Sequence, residues 1–253
     1  MIVLRALGVA VVLIVVWQAI ILAVQPPPFM LPAPLRVFDA LVARPDLWRV
    51  HAVATLNATL IGFAAGALVG AGLALAMSFV PISRRLILPV MVVSQAIPVF
   101  AIAPLLVLWF GFGLASKIVM TTVAIFFPVA SAYADGLQRT DPGLLDLARL
   151  YRASRWQTVT VVRMPGALPS LITGLRLAAV YAPVGALIGE WVGSTSGLGY
   201  AMLFANSRSQ TDVMFAALIL VIAMSVILRA IVDLATANLA PWAPESATID
   251  RRE

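Results

Sequence analysis

The sequence has no cysteine, one histidine and one lysine in 253 residues, and only 11% of it is charged. Without cysteine there is no disulfide framework, no thiol nucleophile and no thiolate metal site. The single histidine, His51, has no carboxylate at ligand spacing, so no metal site is expected. The single lysine, Lys117, stands in Gly113-Leu114-Ala115-Ser116-Lys117-Ile118, which lacks the second glycine and the Ser/Thr of a phosphate-cradling P-loop. G-x-S-x-G and H-E-x-x-H are also missing, which leaves no hydrolytic enzyme signature. The net charge of +6 comes without a basic stripe interleaved with aromatics, so nucleic acid is not an expected partner. Soluble domains carry about 25% charged residues; this chain has too few to coat a water-facing surface.

What it has instead is apolar length. Hydrophobic residues make up 62% of the chain, and three runs carry no charge: Ala6–Leu35, Val50–Ser83 and Leu86–Ser116. Each exceeds the roughly 20 residues that cross a bilayer core as a helix. The chain is therefore expected to be an all-α, polytopic membrane protein forming one domain over residues 1–253, with the lipid bilayer as its solvent. About six spans fit the pattern: Ile2–Val24, Val53–Val80, Leu86–Phe110, Ile118–Ala134, Ser170–Trp191 and Val213–Leu234. The first is too long for the apolar core of a cleaved signal peptide.

Six spans place both termini on one side. If that side is the cytoplasm, Arg5, Arg84, Arg85, Arg139, Arg149, Arg152, Arg155, Arg163, Arg176, Arg229, Arg251 and Arg252 lie inside, against Arg36, Arg44, Arg49, Lys117 and Arg208 outside. That follows the positive-inside bias. It makes residues 135–169 the one long polar loop on the inner side. Outside lie a proline-rich connection from Pro26 to Arg49 and a Gly/Ser/Asn-rich one from Gly193 to Asp212, while Pro241–Glu253 reads as a short frayed end.

The inner loop is patterned. Asp141 and Pro142 suit the cap and first position of a helix. Leu144, Leu147, Ala148 and Tyr151 then fall at i, i+3, i+4 and i+7, one apolar face. At about 1.5 Å per residue this helix is too short to cross a membrane and must lie on the membrane surface or on a partner. Pro165 and Pro169 are expected to break the chain before the fifth span.

The stretch "LLDLARLYRASRWQTVTVVRMPGALPSLITGLRLA" resembles the EAA loop of binding-protein-dependent ABC transporter permeases. Asp146, Leu147 and Ala148 take the Glu-Ala-Ala places, Arg152 stands where the family has glycine, Ala153 and Ser154 follow, and Pro165 and Pro169 match the closing prolines. The segments "PPPFMLPAPLRVFDAL", "PVFAIAPLLVLWFGFG" and "GEWVGSTSGLGYAMLFANSRSQTD" extend the resemblance over nearly the whole chain. With arginine in place of glycine, the helix is expected to run on or turn less tightly at residue 152.

The resemblance implies a type I ABC importer permease in a bacterial inner membrane, with Asp146, Leu147, Ala148, Tyr151, Arg152, Ala153, Ser154 and Pro165 coupling to ATPase. Its partners would be a second permease subunit, by expectation a second copy, two cytoplasmic ATPase subunits and a periplasmic binding protein. The chain itself would hold no cofactor, ATP and Mg being bound by the ATPase. Resemblance places it in the branch serving sulfonates, taurine, nitrate and thiamine pyrimidine precursors, and its fifth-span segment is most similar to hydroxymethylpyrimidine-type permeases. An acidic Glu190 in place of a basic lining agrees with that choice over an obligate anion. An ion-coupled secondary transporter is the alternative class, with Glu190 as proton carrier, although no inverted repeat is present.

Polar groups inside spans are costly and point to function by default. Ser94, Gln95, Pro98 and Phe100 in the third span, and Tyr181, Glu190 and Trp191 in the fifth, are the pathway candidates. Glu190 reads either as a carboxylate in water at the rim, beside an interfacial tryptophan, or as a solute contact or gate. Gly62, Gly66 and Gly70 form a close-packing ridge, His51 is expected at the outer surface, Arg229 pairs with Asp233, and Arg176 snorkels inward.

Overall fold

The computed structural model describes residues 2–242; the end of the chain beyond Trp242, with Arg251 and Arg252 of the charge count, lies outside the described residues. The elements are helices: α1 (Ile2–Val24), α2 (Pro34–Ala43), α3 (Pro45–Phe79), α4 (Pro81–Ala96), α5 (Val99–Phe110), α6 (Leu114–Gln138), α7 (Pro142–Leu150), α8 (Arg155–Gly193), α9 (Leu198–Ser207) and α10 (Thr211–Thr236). Among the described residues four of them, α3, α6, α8 and α10, are long and apolar enough to cross a membrane individually, and Val11–Val24 of α1 is a shorter apolar stretch.

The third expected span is not one rod. Helices α4 and α5 meet at 99°. Pro98 has no N–H to continue the ladder and holds Ile97 extended (φ −81°, ψ 119°). The second span begins earlier than its hydropathy suggests, at Pro45, which supplies a helix start eight residues before the expected Val53. The proline-rich connection before it also contains α2, whose last turn accepts the Trp48 indole N–H at Ala40 O, 3.0 Å.

Helix α6 is the axis of the bundle. Its Met120, Ile125, Val129 and Ala130 are fully buried between α3 and α8. The approach of α3 is close because Gly62, Gly66 and Gly70 present bare backbone to α6: a Cβ at Gly66 would stand 2.6 Å from Ile125 Cγ1, and one at Gly70 2.8 Å from Val129 Cβ. The small-residue ridge thus does the packing expected of it.

The expected break at Pro165 and Pro169 does not occur. The helix α8 runs unbroken for 39 residues, about 58 Å at 1.5 Å per residue. A π-turn over Thr158–Arg163 precedes Pro165. This wider turn shifts the hydrogen-bond register, so the Met164 N–H reaches Val159 O and Pro165 stands inside a continuous helix. The polar loop expected on the inner side is correspondingly shorter, confined to residues 139–154 between α6 and α8.

Candidate functional site

At one end of the bundle the chain builds a rigid corner. Asp141 accepts the Gly143 N–H at 2.7 Å and Pro142 starts α7. Nine residues later α7 stops abruptly. Arg152 takes the left-handed conformation (φ 51°), its N–H reaches Arg149 O at 2.9 Å, and the Ala153 N–H reaches Ala148 O at 2.9 Å. These two bonds are the Schellman closure normally built on glycine. The expectation that arginine would prolong or loosen the turn is therefore incorrect, because the closing hydrogen bonds and the cap of the next helix hold the arginine backbone in place.

That next cap follows at once. Ser154 Oγ accepts the Gln157 N–H (3.2 Å) and Gln157 Oε1 accepts the Ser154 N–H (2.8 Å), a reciprocal capping box at the start of α8. Arg155 donates to Phe79 O at 3.2 Å, and the Trp156 ring stacks on Phe79 with centroids 4.7 Å apart. The corner is thereby fastened to the end of α3.

On α7 itself Ala148 is buried, whereas Leu144, Leu147, Leu150 and Tyr151 are exposed, Tyr151 by 80%. Asp146 is also exposed and is ion-paired to Arg149 at 2.7 Å. Pro165 lies inside α8 and is half-buried, two residues past the π-turn. The coupling candidates thus divide: Leu147 and Tyr151 present an uncovered apolar face with Asp146 exposed beside them, while Ala148, Arg152, Ala153 and Ser154 make the corner that holds it.

The pathway candidates are not gathered into one place. Ser94, Gln95, Pro98 and Phe100 collect at the α4–α5 bend, where Ser94 donates to Met91 O (2.7 Å) and the other three are exposed. Tyr181 is exposed on α8. Trp191 is exposed at the far end of α8, beside a groove of about 470 Å³ that Phe112, Tyr200 and Phe204 also line.

Glu190 is not a rim carboxylate in water. It is 1% exposed and both oxygens are occupied: Oε1 accepts from the Thr55 hydroxyl and Oε2 from the Gly199 N–H, each at 2.8 Å. Thr55 Oγ1 in turn accepts the Leu198 N–H at 2.8 Å, and His51 Nδ1 accepts the Gly197 N–H at 3.1 Å. His51 is accordingly buried inside this node rather than at the surface. Together the three side chains satisfy successive amides at the start of α9, which would otherwise lack partners. Lys117 is buried as well, its backbone packed against Gly189 next to Glu190.

Sequence reasoning missed Thr55 and His51. The available signal was spacing: His51, Thr55 and Thr59 recur every four residues in an apolar helix, one polar stripe on a face that must find partners. At the opposite end, Asp233 pairs with Arg229 (2.8 Å) as expected. Asp233 also lies 2.7 Å from Arg176 Nε, an ion contact whose angle falls short of a hydrogen bond, so Arg176 is partnered rather than merely snorkelling.

Residues 62–243 match the model of the family described as binding-protein-dependent transport system inner membrane component. The chain is 46% identical over 222 residues to a probable ABC transporter permease protein of Haemophilus influenzae, covering 88% of this chain and 91% of that one. It is 38% identical over 174 residues to the formylaminopyrimidine transport permease protein ThiX of Halalkalibacterium halodurans (68% and 70% covered). It is 33% identical over 233 residues to the riboflavin transport system permease protein RibX of Chloroflexus aurantiacus (91% and 87%). In fold it is similar to a chain of the MetNI methionine ABC transporter in an inward facing conformation, with a TM-score of 0.66 at 21% identity over 77% of this chain and 98% of that one. The chain belongs to the inner-membrane permease family of binding-protein-dependent ABC importers, a multi-pass transport subunit and not an enzyme.

Proposed function

We propose that this permease carries a thiamine pyrimidine precursor such as hydroxymethylpyrimidine into the cytoplasm, with α7 as the surface on which a separate ATPase subunit docks. One observation carries the docking assignment: α7 is capped at both ends, fastened to α3 and α8, and still leaves Leu144, Leu147 and Tyr151 uncovered. A lever must be stiff along its length and sticky at its tip, and this helix is both. ATP and Mg belong to the docked subunit, since the chain has no P-loop.

The orientation follows from the same assignment. With α7 in the cytoplasm, both termini are cytoplasmic and α9 faces the periplasm, where a solute-laden binding protein arrives. A second copy of the chain completes the pathway, covering the exposed Phe100 and Tyr181 and supplying the second α7. The pyrimidine reading rests on the fifth-span segment and on the similarity to ThiX. Burial of Glu190 removes the argument that its charge disfavours anions, so the solute must be settled by uptake.

The test is reconstitution with the ATPase and binding protein that co-purify with the chain, followed by uptake of labelled hydroxymethylpyrimidine, riboflavin, taurine and nitrate. ATP-dependent uptake of the pyrimidine above the others supports the reading. Uptake of taurine or nitrate in its place overturns the solute, and a chain that purifies without any ATPase overturns the docking assignment.

A further inference from the structure

A cleft of about 510 Å³ opens where α3 and α6 end and α4 and α8 begin, at the α7 end of the bundle. Three guanidiniums line it: Arg84 and Arg85 from the first turn of α4, and Arg163 from the π-turn of α8. Among the described residues no carboxylate lines it; Asp135, the closest along α6, is exposed and lies outside the lining. Three like charges held around one space repel each other unless an anion sits between them.

Two further observations point to a missing acceptor and a missing donor. Arg163 Nε and Ser78 Oγ are both buried in the cleft region with no hydrogen-bond partner, although buried polar groups are nearly always paired. The α3–α4 corner that presents Arg84 and Arg85 is fixed, since Ser83 Oγ lies within hydrogen-bond distance of both Ala76 O (2.9 Å) and Val80 O (2.6 Å). The guanidiniums are therefore carried on a rigid frame.

The walls are not those of a site for a free ion. About a turn or more in from the helix ends the cleft is lined by Ala74, Ala134, Leu88 and Pro89, with Met77 and Leu137 nearer its mouth. Cationic, fork-shaped donors at the level of the helix ends with apolar walls beneath fit an amphipathic anion. We propose that this cleft holds the phosphate of an anionic membrane lipid, with Arg84, Arg85 and Arg163 on the phosphate oxygens and an acyl chain along Met77 and Leu88.

The inference concerns the membrane surface and stands apart from the identity of the solute. Native mass spectrometry of the full chain in mild detergent tests it, with phosphatidylglycerol, phosphatidylcholine and inorganic phosphate as separate probes. Retention of phosphatidylglycerol over phosphatidylcholine is expected, and Arg84→Gln with Arg85→Gln should lower it about tenfold or more. Arg84→Lys with Arg85→Lys should keep most of it, and Arg36→Gln on α2 should change nothing. Both arginines are exposed, so the variants are expected to elute as the wild type does. Equal retention by the glutamine variant overturns the proposal. Binding of inorganic phosphate with no preference between the lipids overturns it too, and identifies a soluble anion as the occupant.

Discussion

Thr55 on α3 and Glu190 on α8 stand 135 residues apart in the chain and share a buried hydrogen bond of 2.8 Å. The pair joins two spans and, through Leu198 and Gly199, pins a third helix to them. Glu190→Ala would leave the Gly199 amide without its acceptor, a loss of about 1–3 kcal/mol for one buried unsatisfied group, while the Thr55 hydroxyl is left with His51 O, 3.2 Å away. Glu190→Gln is expected to lose much less. Its amide oxygen can take the Gly199 N–H while its NH2 donates to Thr55, whose hydroxyl then turns to His51 O, already 3.2 Å away. Thermal unfolding of both variants in one detergent checks the order. If uptake instead collapses equally in both while only the alanine variant unfolds early, the charge itself serves transport.

Gly197 is held at φ 118° and ψ 161°, a region that other residues avoid. A Cβ there would also run into the Glu190 carboxylate. Gly197→Ala should therefore destabilise α9 by at least about 2 kcal/mol, from backbone strain added to the clash. The chain contains no cysteine, so one introduced at Ala205, which is 1% exposed, reports α9 alone. Faster maleimide labelling of Ala205→Cys in the Gly197→Ala background is the expected outcome; equal rates would mean that α9 is held from elsewhere.

The helical class, the capped α7 and the packing ridge on α3 were legible because each depends on local pattern: apolar length, an Asp-Pro start, and glycines every fourth residue. The failures share a different cause. Pro165 and Pro169 have the pattern of a break, but the π-turn that precedes Pro165 has no sequence signature of its own, and α8 runs on through Pro169. The 99° bend at Pro98 was hidden by an apolar run continuous on both sides of it. Glu190 read as a rim group because hydropathy places it near a span end. What covers it is the start of α9, whose Gly199 N–H it accepts while the neighbouring amides go to Thr55 and His51, a segment that follows it in the chain and folds back.

Arg152 gives a cleaner case of local strain. An L-residue in the left-handed region costs about 1–2 kcal/mol that glycine does not incur, against the roughly 0.5–1 kcal/mol of extra chain entropy glycine loses on folding. Arg152→Gly should stabilise the corner by about 0.5–1 kcal/mol on that difference. Arg152→Val, branched at Cβ, should destabilise it. Both are read as shifts in unfolding temperature, and a neutral glycine variant would show that the arginine side chain makes a compensating contact.

The last prediction concerns the uncovered face of α7. Leu147 and Tyr151 are one turn apart and exposed by 49% and 80%, so removing them costs the isolated chain little. If the face docks on a partner, the same atoms are buried in the complex, and truncating a large aromatic at the centre of an interface typically costs about 2 kcal/mol or more. Leu147→Ala with Tyr151→Ala should thus leave the unfolding temperature of the purified chain within about a degree or two. Recovery of the ATPase subunit in a pull-down should fall by about tenfold or more. Substitution of Ala148, which is buried against the corner, should show the reverse: Ala148→Leu lowers the unfolding temperature first, and any loss of the ATPase follows from that. The contrast separates a docking face from a structural one. Equal ATPase recovery by the Leu147→Ala/Tyr151→Ala chain and the wild type would return α7 to the membrane surface as a helix that merely lies there.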